Sequence, residues 1–87
     1  MIVMNLETAL KKETKKWTQR IEKEMKNIKI KGKDSKVRKN ERFLENIRAY
    51  ISDSKHFAKK GDLVRSFEAI LWAWAWLEIL KELDVLE

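Results

Sequence analysis

The sequence predicts an all-α protein, an up-down-up three-helix bundle of three long antiparallel helices. Its 87 residues contain no proline and two glycines, Gly32 and Gly61, which divide the chain into three segments of similar length. In each segment the apolar residues recur at the three- and four-residue spacing of a helix. Because short loops join helices of equal length, consecutive helices are expected to run antiparallel. A chain of this length forms one domain, which we assign to residues 1–87.

The first helix is predicted to run from about Asn5 to Ile30, with Asn5 as its N-cap and Gly32 just beyond its end. A narrow apolar stripe is expected to face the core, and its members are Leu6, Leu10, Trp17, Ile21, Met25 and Ile28. Five lysines share the opposite side of this helix: Lys12, Lys15, Lys16, Lys23 and Lys26.

The second helix is predicted to begin after a cap at Asp34 or Ser35 and to end near Lys60, with Gly61 in the left-handed conformation. Its apolar stripe is wide enough to contact two neighbouring helices. The members are Val37, Leu44, Ile47, Ile51 and Ala58, joined at seven-residue spacing by Phe43, Tyr50 and Phe57.

The third helix is predicted to start after Asp62 as N-cap and to reach about Leu86. It is apolar on two sides, which is typical of a helix that is buried between neighbours or that has a partner-binding face. One stripe comprises Leu63, Phe67, Ile70, Leu71, Trp74 and Leu77. The other comprises Ala69, Trp72, Trp76, Ile79, Leu80 and Leu83.

Composition limits the location and the chemistry. The chain has no cysteine, no secretory n-region and no apolar run long enough to span a membrane, so we expect a cytoplasmic protein without a membrane partner. The net charge of +6 is unevenly distributed. Residues 1–42 carry 14 basic and 6 acidic side chains, whereas residues 43–87 carry 6 basic and 8 acidic ones. Any affinity for polyanions is therefore expected in the first half.

The second half resembles a known family. Tyr50, Asp53 and Phe57 precede Gly61-Asp62, and the steps Phe67-Glu68-Ala69 and Trp74-Ala75-Trp76-Leu77-Glu78 follow at characteristic spacing. These residues resemble the largely archaeal domain of unknown function 357. The resemblance covers about a third of the chain and implies a small three-helix bundle without an assigned activity. It also implies an accessory or docking role, because members of this family occur joined to nucleotidyltransferase-like domains.

Two surfaces are candidates for function. Trp72 and Trp76 either flank the seam with another helix of the bundle or form, with Leu80 and Leu83, a face for a second copy or another protein partner. The row Lys12, Lys15, Lys16, Lys23 and Lys26 is either a solvated face or a site that follows the phosphates of a nucleic acid. We favour protein interaction, by homodimer formation or by docking to an enzyme domain. The alternative is association with nucleic acid.

Catalysis is not predicted. The sequence lacks a phosphate-binding loop, a cysteine nucleophile and a histidine cluster, so we expect no catalytic, cofactor or metal site. The acids nearest the aromatic segment are Asp53, Glu68 and Glu78, and we expect them to pair with basic or aromatic neighbours. His56, between basic neighbours, is expected on the surface.

Overall fold

The computed structural model describes residues 5–32 and 35–87. Helix α1 comprises Leu6–Met25, α2 comprises Ser35–Lys59, and α3 comprises Leu63–Glu82. All the regular elements in these described ranges are helices, which confirms the predicted all-α class.

Contacts between the helices give their directions. Trp17 of α1 packs against Trp74 of α3, and Glu24, one residue before the end of the first helix, pairs with Lys81, near the end of the third. The residue numbers of both partners increase from the first pair to the second, so α1 and α3 are parallel. Pairs between α2 and α3 run in opposite order: Phe43 with Trp76, Tyr50 with Trp72, and Ser54 with Ser66. The bundle is therefore up-down-up, as predicted.

Local capping signals position the helices as expected. The side-chain oxygen of Asn5 accepts a hydrogen bond from the Glu7 N–H at 2.8 Å, and that of Asp62 accepts one from the Arg65 N–H at 3.2 Å. Gly61 has a φ of +80°, a left-handed conformation that costs little without a side chain. The tight turn between α2 and α3 therefore forms where the sequence places it. The predicted cap of α2 lies outside the described part, which includes neither Asp34 nor the side chain of Ser35.

The first helix is shorter than predicted: it ends at Met25 rather than near Ile30. Beyond it the chain becomes extended, and Ile30 forms an isolated antiparallel bridge with Leu86. The Lys31 N–H donates to the Val85 carbonyl at 2.7 Å, and the Glu87 N–H donates to the Lys29 carbonyl at 2.9 Å. Burial of Ile30 against the core and these hydrogen bonds outweigh one more helical turn.

The third helix is also shorter than predicted, ending at Glu82 rather than Leu86. Asp84 adopts a left-handed backbone with φ of 54°, which turns the chain away from the helix axis. Its carboxylate accepts a hydrogen bond from the Lys31 ammonium at 2.8 Å. The residues after the helix thus pack under the α1–α2 connection, with Val85 and Leu86 partly buried against the core. We call residues 83–87 the C-terminal tail.

The core lies mainly along α3. Its fully buried large side chains include one from α1, one from α2 and three from α3: Ile21, Ile47, Ile70, Leu77 and Leu80. Ala73 is also fully buried. Two buried serines join the same helices, because the Ser54 hydroxyl donates to the Ser66 carbonyl and the Ser66 hydroxyl donates to the Ser54 carbonyl, each at 2.7 Å.

No helix in the described ranges has the length and apolar character needed to cross a membrane.

Candidate functional site

An apolar surface covers the side of α3 that faces away from the other helices. Leu71, Trp72, Ile79 and Leu83 are 46%, 52%, 45% and 59% exposed, and Ala75 lies exposed between them. Trp72, Ala75, Ile79 and Leu83 follow the three- and four-residue spacing of one helix side, and Leu71 lies at its edge. We call these five residues the outer face of α3. Large apolar side chains grouped on one side of a small protein mark an interaction surface more than scattered ones do.

Helix α2 holds two tryptophans of α3 in place, one on the outer face and one beside it. Trp72 stacks on Tyr50 with ring centroids 6.4 Å apart and an interplanar angle of 20°. Trp76 stacks on Phe43 at 5.2 Å and 18°. The seven-residue spacing of Phe43 and Tyr50 places these rings in line along α2. Because Trp72 is already ordered, a partner that packs on it loses little side-chain entropy on binding.

The structure corrects the predicted interaction residues. Leu80 is fully buried and belongs to the core, not to an exposed face. Trp76 is half-buried at the seam with α2, whereas Trp72 and Leu83 are exposed. Conversely, Leu71 was expected in the core stripe and is 46% exposed. The two predicted stripes were separated at the wrong place. Helix α2 contacts α3 at Ser66, Trp72 and Trp76, and Leu80 lies on the helix surface between them.

The predicted lysine row is exposed at every position: Lys12, Lys15, Lys16, Lys23 and Lys26. Lys26 lies one residue beyond the end of α1 and serves as its C-cap. Lys16 forms an ion pair with Glu13 at 3.4 Å, so part of its charge is neutralised locally. Exposed pairs of this kind contribute little to stability and remain available to other anions.

Trp17 packs against the core, as expected, but it is not fully buried. It is half-buried at the edge of the bundle, edge-on to Trp74 at 5.7 Å, and its indole N–H donates to Glu13 at 3.0 Å. The Arg20 guanidinium lies 4.9 Å and the Lys16 ammonium 5.2 Å from the ring centroid. An aromatic ring flanked by two cations therefore accompanies the lysine row, a combination that base stacking can use.

The acidic residues of the aromatic segment separate into two places. Asp53 and Glu68 line one cleft of about 360 Å³ on the α2–α3 side, together with Tyr50, Phe57, Arg65, Ala69 and Trp72. Glu78 lies elsewhere and pairs with Lys81 at 3.4 Å. Across the described residues no group of three or more acidic or histidine side chains is arranged to hold a metal ion.

His56 is exposed, as predicted, and its ring lies edge-on to Phe57 at 5.9 Å.

The pKa of Lys81 is raised above its ordinary value of 10.5, mainly because its ammonium donates a hydrogen bond to Glu24. Partial desolvation opposes the rise, and the charges of Glu24 and Glu78 add to it. Lys81 therefore remains charged at neutral pH and links α3 to the end of α1.

Comparison with known proteins decides the family. The family model described as "Protein of unknown function (DUF357)" matches residues 16–86. The chain belongs to the DUF357 family. The match includes α2, α3 and residues 83–86 of the C-terminal tail, so the outer face of α3 lies within the DUF357 region, whereas Lys12 and Lys15 precede it. The resemblance identified from the aromatic segment is thereby confirmed.

A DUF357 structure from an archaeon has the same fold. The crystal structure of protein AF1782 from Archaeoglobus fulgidus is 49% identical to this chain and superposes with a TM-score of 0.80. The similarity covers 95% of this chain and 97% of that chain. The comparison with curated proteins finds no match. The DUF357 description assigns no activity.

Proposed function

We propose that this protein is a non-enzymatic interaction module whose outer α3 face packs against the same face of a second copy. The observation that carries the proposal is the exposure of Leu71, Trp72, Ile79 and Leu83 on one side of one helix. A monomer that leaves these side chains in water forgoes about 25 cal/mol for each Å² of apolar surface that could be buried. Pairing of two copies removes that surface from solvent.

The arrangement of residues along α3 suits two-fold symmetry. In an antiparallel pairing centred near Ala75, Trp72 of one copy lies opposite Ile79 of the other. The small side chain of Ala75 permits close approach at the crossing point.

Docking to an enzyme domain is the other use of the same face. It would bury the same side chains without self-association, and it fits the absence of a predicted catalytic motif in this chain. The acidic residues beside the face, Glu68, Glu78 and Glu82, then favour a partner surface with basic residues around an apolar centre.

The test is self-association of the full chain. We expect the variant Trp72→Gln with Leu83→Gln to weaken dimer formation at least tenfold in sedimentation equilibrium, because exposed tryptophans act as interface anchors. Leu6→Gln removes an apolar residue of α1 that is even more exposed, at 74%, and should leave association within twofold of the unchanged protein. A chain that stays monomeric at high micromolar concentration would exclude the homodimer and leave docking as the use of the face.

Nucleic-acid association is a second candidate, and the surroundings of Trp17 favour it. Lys16 and Arg20 flank a partly exposed indole beside the lysine row, so cations and a stacking surface lie together. We expect Lys12→Glu, Lys15→Glu and Lys16→Glu together to abolish binding of single-stranded DNA at low salt, whereas Trp72→Gln should not affect it. Binding measured at several salt concentrations checks this, since phosphate contacts make the affinity fall steeply with salt. A flat salt dependence would exclude it.

A further inference from the structure

A gap separates α1 from α2. Helix α3 packs against both of them, whereas α1 and α2 scarcely approach one another. The ion pair between the Lys55 ammonium and the Glu22 carboxylate, 2.8 Å long, spans this gap. Side chains of α3, among them Leu63 and Ser66, form the floor of this gap. The gap is therefore a groove rather than an opening through the bundle.

The groove contains a cavity of about 310 Å³ beside the Lys55–Glu22 pair. Residues of all three helices line it, among them Thr14, Thr18, Ser54, Ala58, Leu63 and Ser66. The lining is mostly apolar, because three of its hydroxyls already donate hydrogen bonds within the protein. Those of Ser54 and Ser66 donate to each other's carbonyls, and that of Thr18 donates to the Thr14 carbonyl at 2.6 Å. What they present to the cavity is therefore largely carbon.

The hydroxyl of Thr14 is the exception. Thr14 is 9% exposed, lines the cavity, and its Oγ1 is buried without a hydrogen-bond partner in the described structure. Buried hydroxyls are nearly always hydrogen-bonded in folded proteins, because an unpaired one loses its bonds to water without replacement. Rotation of the Thr14 side chain about χ1 would turn this hydroxyl toward the cavity, where a ligand with an acceptor atom would receive the hydrogen bond that the protein leaves unmade.

The rim of the cavity is positively charged. Lys11, Lys15 and Lys55 line it together with one acid, Glu22, which Lys55 already neutralises. Among the described residues neither Lys11 nor Lys15 forms a salt bridge. Lys11 lies three residues before Thr14 and Lys15 directly after it, and all three line the cavity. Two available ammonium groups and a hydroxyl donor thus border a largely apolar cavity.

We propose that this cavity binds an aliphatic carboxylate, with its chain between α1 and α2 and its head group at Thr14. The carboxylate would accept hydrogen bonds from the Thr14 hydroxyl and from the ammonium groups of Lys11 and Lys15. The volume lies at the lower end of the range for small-molecule sites, which suits one unbranched chain of medium length. This site is separate from the outer face of α3 and does not depend on the function proposed for that face.

The experiment is a titration of the isotopically labelled full chain with decanoate, kept below its micelle-forming concentration, followed by amide chemical shifts. We expect saturable shifts at Thr14, Thr18, Ser54 and Ala58. Lys11→Glu with Lys15→Glu should weaken binding at least tenfold, since both charge-assisted hydrogen bonds are lost. Thr14→Val keeps the shape of the side chain and should weaken binding several-fold.

Controls separate a specific site from general adsorption. Lys12→Glu with Lys23→Glu makes the same change of net charge outside the cavity and should leave decanoate affinity within twofold. Ala58→Trp, at an exposed position of the lining, should block the cavity while circular dichroism shows the fold intact. Decanoate binding that survives Ala58→Trp, or decanol binding as tightly as decanoate, would overturn the proposal. The proposal would also be overturned if an acidic amphipathic peptide changed these amide chemical shifts and decanoate did not.

Discussion

Replacing Leu80 by alanine is expected to lower the free energy of unfolding by about 2–5 kcal/mol. The side chain is fully buried among core residues from all three helices, so its removal leaves a cavity that the helices cannot close completely. Leu83→Ala, three residues later at the C-cap of α3, is expected to change stability by no more than about 0.5 kcal/mol, because that side chain is 59% exposed.

Equilibrium urea denaturation of the two variants, at a chain concentration low enough to avoid association, checks this pair. The two leucines also differ in their expected effect on self-association, which Leu83→Ala should weaken and which Leu80→Ala should change only through the fold. Equal destabilisation by both substitutions would mean that α3 faces α2 with a different side than the one described.

Removal of residues 85–87 is the second change with a large expected effect. We expect it to lower the free energy of unfolding by about 2–4 kcal/mol, through the lost burial of Val85 and Leu86 and two lost backbone hydrogen bonds. Ile30, 8% exposed under the tail, would also gain access to water. Thermal and urea unfolding of the shortened chain provide the measurement.

A full-length variant, Glu87→Gln, is the matched control. It removes the side-chain charge of the last residue but retains the backbone N–H that donates to Lys29. Its stability should match that of the unchanged protein. If the shortened chain unfolds at the same urea concentration as this control, the tail does not stabilise the bundle and the early end of α1 needs another cause.

Much of the fold could be predicted because its signals are local. Asn5 and Asp62 cap helices in the way their side chains allow, and Gly61 takes the left-handed conformation that a tight turn requires. Apolar spacing then identified α2 and most of the core. These features depend on residues within one or two helical turns of one another, and a single sequence displays them directly.

The ends of α1 and α3 were mispredicted because a distant contact determines them. Helical apolar spacing continues through Ile28, so it indicated a longer helix. The alternation of isoleucine and lysine at residues 28–31 is the weak signal that was available, since a two-residue period favours extended chain. Ile30 in this stretch pairs with Leu86, more than fifty residues away, and no local signal in the sequence indicates that pairing.

The candidate sites follow the same division. Composition alone indicated an apolar α3 and a basic α1. In the structure Trp72 and all five lysines of the row are exposed. The choice between Leu80 and Leu71 as the buried residue depended on which side of α3 meets α2, and that side is shown by the ring contacts of Trp72 and Trp76 with α2. The cavity beside Thr14 had no signal at all, because threonine and serine on helices are ordinary surface residues.

Three helices, their order and the turn between the last two are thus encoded in short-range chemistry: caps, glycine conformation and apolar period. Which leucine is buried, where the first and last helices stop, and the gap between α1 and α2 arise only when the helices pack. The reason is that each of these depends on competition between segments far apart in the chain, and burial of shared apolar surface settles that competition.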